Sequence, residues 1–208
     1  MNLETLNPYV LKILIAIRKE DSVIGISRRI NLSFGWTYKW VKELVKEGII
    51  KERWRGIVLQ EDNKTYKRIL KFIKEIRDIR FYYSVLNLFG IRYCFEKTDA
   101  VYIWTEGRYN IARYREFYPI FIMIKKEDYH IFLRYCRKLN LKIRARKGIF
   151  YVPEVVEDFR FVKKDDLFVE PLNETIEFMK KNIYNFQPAL EMIQEMYGRK
   201  LGIKYKEI

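Results

Sequence analysis

The stretch DSVIGISRRINLSFGWTYKWVKELVKEGIIKERWRGIVLQ, from Asp21 to Gln60, decides how this chain reads. Ser22 stands where a hydroxyl caps free helix amides, and Val23, Ile26 and Ile30 follow at helical spacing, which predicts a short helix with Arg28 and Arg29 outside. Asn31-Leu32-Ser33 makes the turn. Ser33 is placed to cap a further helix, and Gly48 is the expected left-handed residue after its last turn. At about 100° per residue, Thr37, Val41, Leu44 and Val45 share one stripe, while Gly35, Tyr38, Lys39, Lys42 and Lys46 fall opposite. Trp36 sits at the N-terminal shoulder and Trp40 at the edge of the core stripe. Ile49 and Ile50 then begin a strand, Arg53-Trp54-Arg55-Gly56 turns, and Ile57-Val58-Leu59 returns as a two-stranded flap. Upstream, Asn7 followed by Pro8 is a helix start. That helix is expected to run to about Lys19, with Val10, Leu11, Leu14 and Ile17 on one face.

A chain of 208 residues, 49% of them hydrophobic, is long enough to bury a core as one domain or two. Its formal net charge of +14 favours a polyanionic partner, because clustered Lys and Arg release counterions from phosphates. A thermophile surface is the bland alternative, yet it explains the charged fraction better than the excess of 41 Lys and Arg over 27 Asp and Glu. No secretory signal and no apolar segment near bilayer length is visible, so the chain is expected to be soluble and cytoplasmic. Cys94 and Cys136 are isolated among apolar neighbours and His130 is the sole histidine, which argues against clustered zinc sites and a histidine triad. Both cysteines are expected to be reduced and buried.

The outer face carrying Tyr38, Lys39 and Lys42 suits a groove of duplex DNA, where residues near the helix start reach base edges and later lysines reach phosphates. An ordinary solvated face is the alternative. Two arginines at the flap tip, Arg53 and Arg55, suit a narrow minor groove, and Trp54 either packs on the sugar backbone or shields the hairpin. The segments Ile26 to Ser33 and Val41 to Ile50 resemble the winged-helix domains of bacterial and archaeal transcription regulators. That resemblance covers about the first 60 residues and implies a DNA surface of Arg28, Arg29, Ser33, Gly35, Trp36, Tyr38, Lys39, Lys42, Arg53, Trp54 and Arg55.

From Lys64 to about Leu88 the pattern is helical and basic, with Tyr66, Ile69, Ile73 and Ile76 on one stripe. The stripe packs either on its own domain or on a twin helix, and dimerisation is favoured because such readers pair to span two half-sites. Beyond Gly90, strands are expected at Ile91 to Phe95, Pro119 to Ile124, Leu141 to Ala145, Ile149 to Val152 and Phe159 to Val162. Helices are expected at Asp99 to Thr105, Lys126 to Asn140, Pro171 to Lys180, and from Pro188 to Gly198. The resulting class is α+β, with domains at 1–62, 63–89 and 90–208.

Leu88 to Tyr93, then Thr98 to Trp104 and the strand at Pro119, are similar to the opening of nucleotidyltransferase-like domains. Such domains follow winged helices in archaeal regulators and in antitoxins of the AbiEi type. An active member needs a Gly-Ser loop and two carboxylates one residue apart to hold two metals. Where those should stand, this chain has Arg115-Glu116-Phe117-Tyr118-Pro119, and Glu96 is followed by Lys97 and Thr98. Asp165 and Asp166 read as a solvated turn. The expectation is therefore a non-catalytic domain with no metal and no cofactor, kept for a protein partner or a ligand.

Arg108, Tyr109, Arg113, Tyr114 and Arg115 form a further cluster. It either grips bases and phosphates or is a loop whose aromatics cover the sheet edge while its arginines pair with Glu106 and Glu116. The combined expectation is a homodimeric regulator that binds double-stranded DNA. A nucleotidyltransferase-type enzyme, or an antitoxin that binds a toxin protein, is the alternative.

Overall fold

The structure is a computed structural model that describes residues 7–111, 113–114 and 116–202. It is mixed α+β and divides into two compact units: the chain up to Ile91 together with Ile131–Leu141, and Arg92–His130 together with the chain from Lys142 on. No helix among the described residues is long and apolar enough to cross a membrane.

The first unit opens with α1 (Pro8–Ala16), capped by the Asn7 side chain, which accepts from the amides of Tyr9 and Val10 at 2.9 and 3.0 Å. The helix stops three residues before the expected Lys19 because the chain there is recruited into a sheet. Asp21 Oδ2 accepts from Arg18 N, and Lys19 O accepts from Leu59 N. Glu20–Asp21 is thus a strand, β1. The helix α2 (Val23–Ile30) follows, with Ser22 as its cap, and Asn31 adopts the left-handed conformation that starts the turn. Then come α3 (Phe34–Lys46), β2 (Ile50–Arg53) and β3 (Gly56–Leu59). The strand order is β1-β3-β2, so the expected two-stranded flap is a three-stranded antiparallel sheet. Gly56, at φ +151°, is required by that third strand: a Cβ would lie 2.5 Å from Asp21 O.

The expected single connector is two helices, α4 (Lys64–Glu75) and α5 (Ile79–Val85), followed by a 3-10 turn at Leu86–Leu88. Ile76 is extended, and Asp78 begins the second helix by accepting from Arg80 N at 2.7 Å. Tyr66, Ile69 and Ile73 are buried by this chain itself, so that stripe is not a free seam for a twin helix.

The second unit carries a mixed six-stranded sheet. The elements from here on are β4 (Tyr93–Phe95), α6 (Lys97–Trp104), β5 (Phe117–Lys125), α7 (Tyr129–Leu139, which from Ile131 belongs to the first unit), β6 (Lys142–Ile143), β7 (Gly148–Val156), β8 (Val162–Lys164) and β9 (Leu167–Val169). Two helices end it, α8 (Leu172–Lys181) and α9 (Ile183–Tyr197). The strand order is β6-β7-β5-β4-β9-β8. Along β5 the pleat buries Tyr118, Ile120, Ile122 and Ile124 on one face and leaves Phe117, Phe121 and Met123 half-buried on the other. Met179, Phe186, Leu190 and Ile193 from α8 and α9 form an apolar cluster with Val101 of α6.

Two expectations are corrected in this unit. Pro188 does not open the last helix but lies inside α9, near its start. The strand expected at Phe159 to Val162 begins only at Val162, and β9 was not foreseen. The Asp165-Asp166 turn that joins β8 to β9 is the solvated turn the sequence suggested, both residues having positive φ.

Residues of α7 complete the first unit. Lys138 Nζ donates to the carbonyls of Leu14, Ile15 and Ile17 at 2.8, 2.9 and 2.7 Å, and the Tyr135 hydroxyl donates to Ala16 O. The last carbonyls of a helix have no intrahelical partner, so this set closes the C-terminus of α1 from far along the sequence. Burial pushes the Lys138 ammonium down to about 7, whereas its three acceptors favour the charged form. Cys94 and Cys136 are free and buried, and burial pushes both thiols up.

Candidate nucleic-acid interface

The inner side of α3 is fixed by Thr37, Val41 and Leu44, all buried, and by hydrogen bonds at its first turn. Ser33 Oγ accepts from Trp36 N at 3.3 Å, while Thr37 Oγ1 donates to Ser33 O at 3.0 Å. Ser33 is therefore committed to capping. Those anchors turn Gly35, Trp36, Tyr38 and Lys39 to the exterior, where all are exposed.

The outward face is more aromatic than the sequence reading assumed. Phe34, 52% exposed, stacks on Tyr38 at 5.8 Å, and Trp36, 49% exposed, stacks between Tyr9 at 5.7 Å and Trp40 at 6.4 Å. The Lys39 ammonium lies over both indoles, 4.9 Å from Trp36 and 5.3 Å from Trp40. Phe34 was missed although the signal was present, since Phe34 and Tyr38 are four apart on one helix face.

Several cations are already engaged. Lys42 is 3.0 Å from Glu52 on β2, and that hydrogen bond raises the Lys42 ammonium above its ordinary value. Lys46 pairs with Glu43 at 2.8 Å. Arg29 is corrected: instead of standing outside, its side chain is largely buried in an ion pair with Asp21. Arg28 is exposed, as expected.

At the hairpin tip Trp54 is 96% exposed, so it does not shield the hairpin. Arg53 lies 3.5 Å from Glu20, and Arg55 is exposed with no ion pair among the described residues.

Among its described residues the second cluster is divided, with Arg108 and Tyr114 exposed and Arg113 buried. Arg113, expected outside, is buried against Asp99 at 2.7 Å and is stacked 4.7 Å from the Tyr118 ring. Asp99 Oδ2 also accepts from Phe121 N at 2.7 Å, which ties the pair to the sheet. The Tyr109 hydroxyl donates to Asn185 O and its ring packs near Phe186, while Arg108 stays exposed, 3.6 Å from Glu106. Arg115 lies outside the described residues.

Tertiary packing gathers groups in this unit that the sequence scattered. Glu96 is buried, pairs with Lys97 at 3.1 Å, and has its carboxyl pushed up by burial. Lys97 also reaches Glu154 at 2.8 Å. Glu170 is pushed up to about 7 by burial and accepts from the Thr175 hydroxyl at 3.2 Å. Among the described residues no three His, Cys, Asp or Glu are placed to hold a metal ion. An apolar cavity of ≈ 540 Å³ opens on the half-buried face of β5 and β7, lined by Phe117, Pro119, Phe121, Phe150 and Val152 with Arg144 among them.

No protein-family model, no curated protein and no solved structure matches the chain.

Proposed function

We propose that this chain is a sequence-specific transcription regulator of the winged-helix kind, which lays α3 in the major groove of duplex DNA and sets the β2–β3 hairpin on the backbone or in the minor groove. The observation that carries the reading is the outward side of α3. Tyr38 and Lys39 stand exposed there on a helix whose opposite side is locked into the core, in a chain of net charge +14. Arg55 and Trp54 at the hairpin tip extend the same surface chemistry to a second element. The second unit then serves a protein partner or a ligand, for which the apolar cavity is the natural seat. Pairing of two copies to span two half-sites belongs to this reading, on a surface other than the buried α4 stripe.

Selection of bound sequences from a random duplex pool with the full chain, followed by fluorescence anisotropy on the winners, tests it. Replacing Tyr38 and Lys39 together with alanine is expected to abolish selective binding. Retention of affinity by that variant, or failure to bind any duplex at low salt, would refute the reading.

A further inference from the structure

The chemistry of α3 restricts which base pairs its outer face can recognise. Guanine is read by Arg or Lys donating to O6 and N7, and adenine by Asn or Gln at N6 and N7. The helix Phe34–Lys46 contains no Arg, Asn or Gln. Its two forward lysines are already engaged, Lys39 over the indoles of Trp36 and Trp40 and Lys42 against Glu52, which suits them to phosphates rather than to base edges. What remains forward is apolar area, from Phe34, Trp36 and Tyr38. The one apolar group on a base edge in the major groove is the thymine methyl. Stacking with Tyr9 and within the Phe34–Tyr38 pair fixes these rings before any partner arrives, so little rotamer freedom is lost on contact. The hairpin points the same way on separate grounds: arginines, here Arg53 and Arg55, are drawn to the narrow minor groove of A·T tracts.

We propose that the preferred partner is A·T-rich duplex DNA, recognised through thymine methyls by the aromatic face of α3 and through minor-groove width by the hairpin arginines. This rests on the duplex-binding reading above, and the test separates the two. Binding of the full chain is measured by anisotropy to three duplexes of equal length: one of A-tracts without TA steps, the same duplex with deoxyuridine replacing thymidine, and one of G·C pairs alone. Equal length holds the phosphate contribution constant. Uracil lacks only the methyl, and its loss is expected to weaken binding by about fourfold for each methyl buried, or roughly 15- to 60-fold for two or three. G·C is expected to bind at least as weakly as the uracil duplex. Replacing the exposed Phe34 with serine is expected to shrink the thymine–uracil difference. Tight but equal binding of the thymine and uracil duplexes, or of A·T and G·C, overturns the inference and leaves the duplex-binding reading standing. No binding to any of the three at low salt overturns that underlying reading instead.

Discussion

Replacing Glu52 with glutamine is expected to strengthen DNA binding, although the position lies beside the proposed interface rather than at its tip. In the free protein the Glu52 carboxylate holds the Lys42 ammonium at 3.0 Å, with both side chains partly exposed. An exposed pair of this kind contributes little to stability, so its loss should leave the fold intact. Glutamine removes the competing anion and frees Lys42 for a phosphate. One additional phosphate contact steepens the dependence of log K on log salt by about 0.9, which corresponds to about eightfold tighter binding at 0.1 M salt and about threefold at 0.3 M. The assay is an anisotropy titration over a salt series on one selected duplex. Glu157→Gln is the control: it changes net charge equally, but Glu157 pairs with Lys126 in the second unit, so its slope should not move. Equal gains for both variants would trace the effect to net charge alone. An unchanged slope for Glu52→Gln would show that Lys42 does not face phosphate, and the docking of α3 would need to be abandoned.

Two further outcomes test the packing within each unit. Lys138→Met leaves the carbonyls of Leu14, Ile15 and Ile17 without their donor, which is expected to cost about 1–3 kcal/mol in chemical denaturation once the relief of burying the ammonium is set against it; no loss would refute the capping role. Glu170→Gln addresses pH: a carboxyl raised to about 7 keeps its proton in the folded state, so its contribution is fully present below about 4.5 and is lost as pH rises through about 7. The variant should match the parent at pH 4 and exceed it at pH 8 by at most about 3 kcal/mol, and equal urea midpoints at pH 8 would refute the burial argument.

Local rules carried much of the first unit. Asn7-Pro8, Ser22 and Ser33 marked helix starts because capping is satisfied within three residues, and Thr37, Val41 and Leu44 marked the inner side of α3 because helical period alone sorts faces. The exposure of Gly35, Trp36, Tyr38 and Lys39 followed from the same period. Pairing over distance was not legible. Glu20–Asp21 is too short and too polar to announce a strand, and it exists because β3 offers it a free edge. Arg29 and Arg113 read as surface charge because a single chain gives no sign of which carboxylate meets them; Asp21 and Asp99 do so only after folding. The partition of charge on α3 has the same origin, since Glu52 reaches Lys42 across the turn into β2. Periodicity thus settled which side chains point outward, a property of the local backbone. Which of those charges remain available to a partner was settled by tertiary packing, because an ion pair depends on distances that spacing along the chain does not encode.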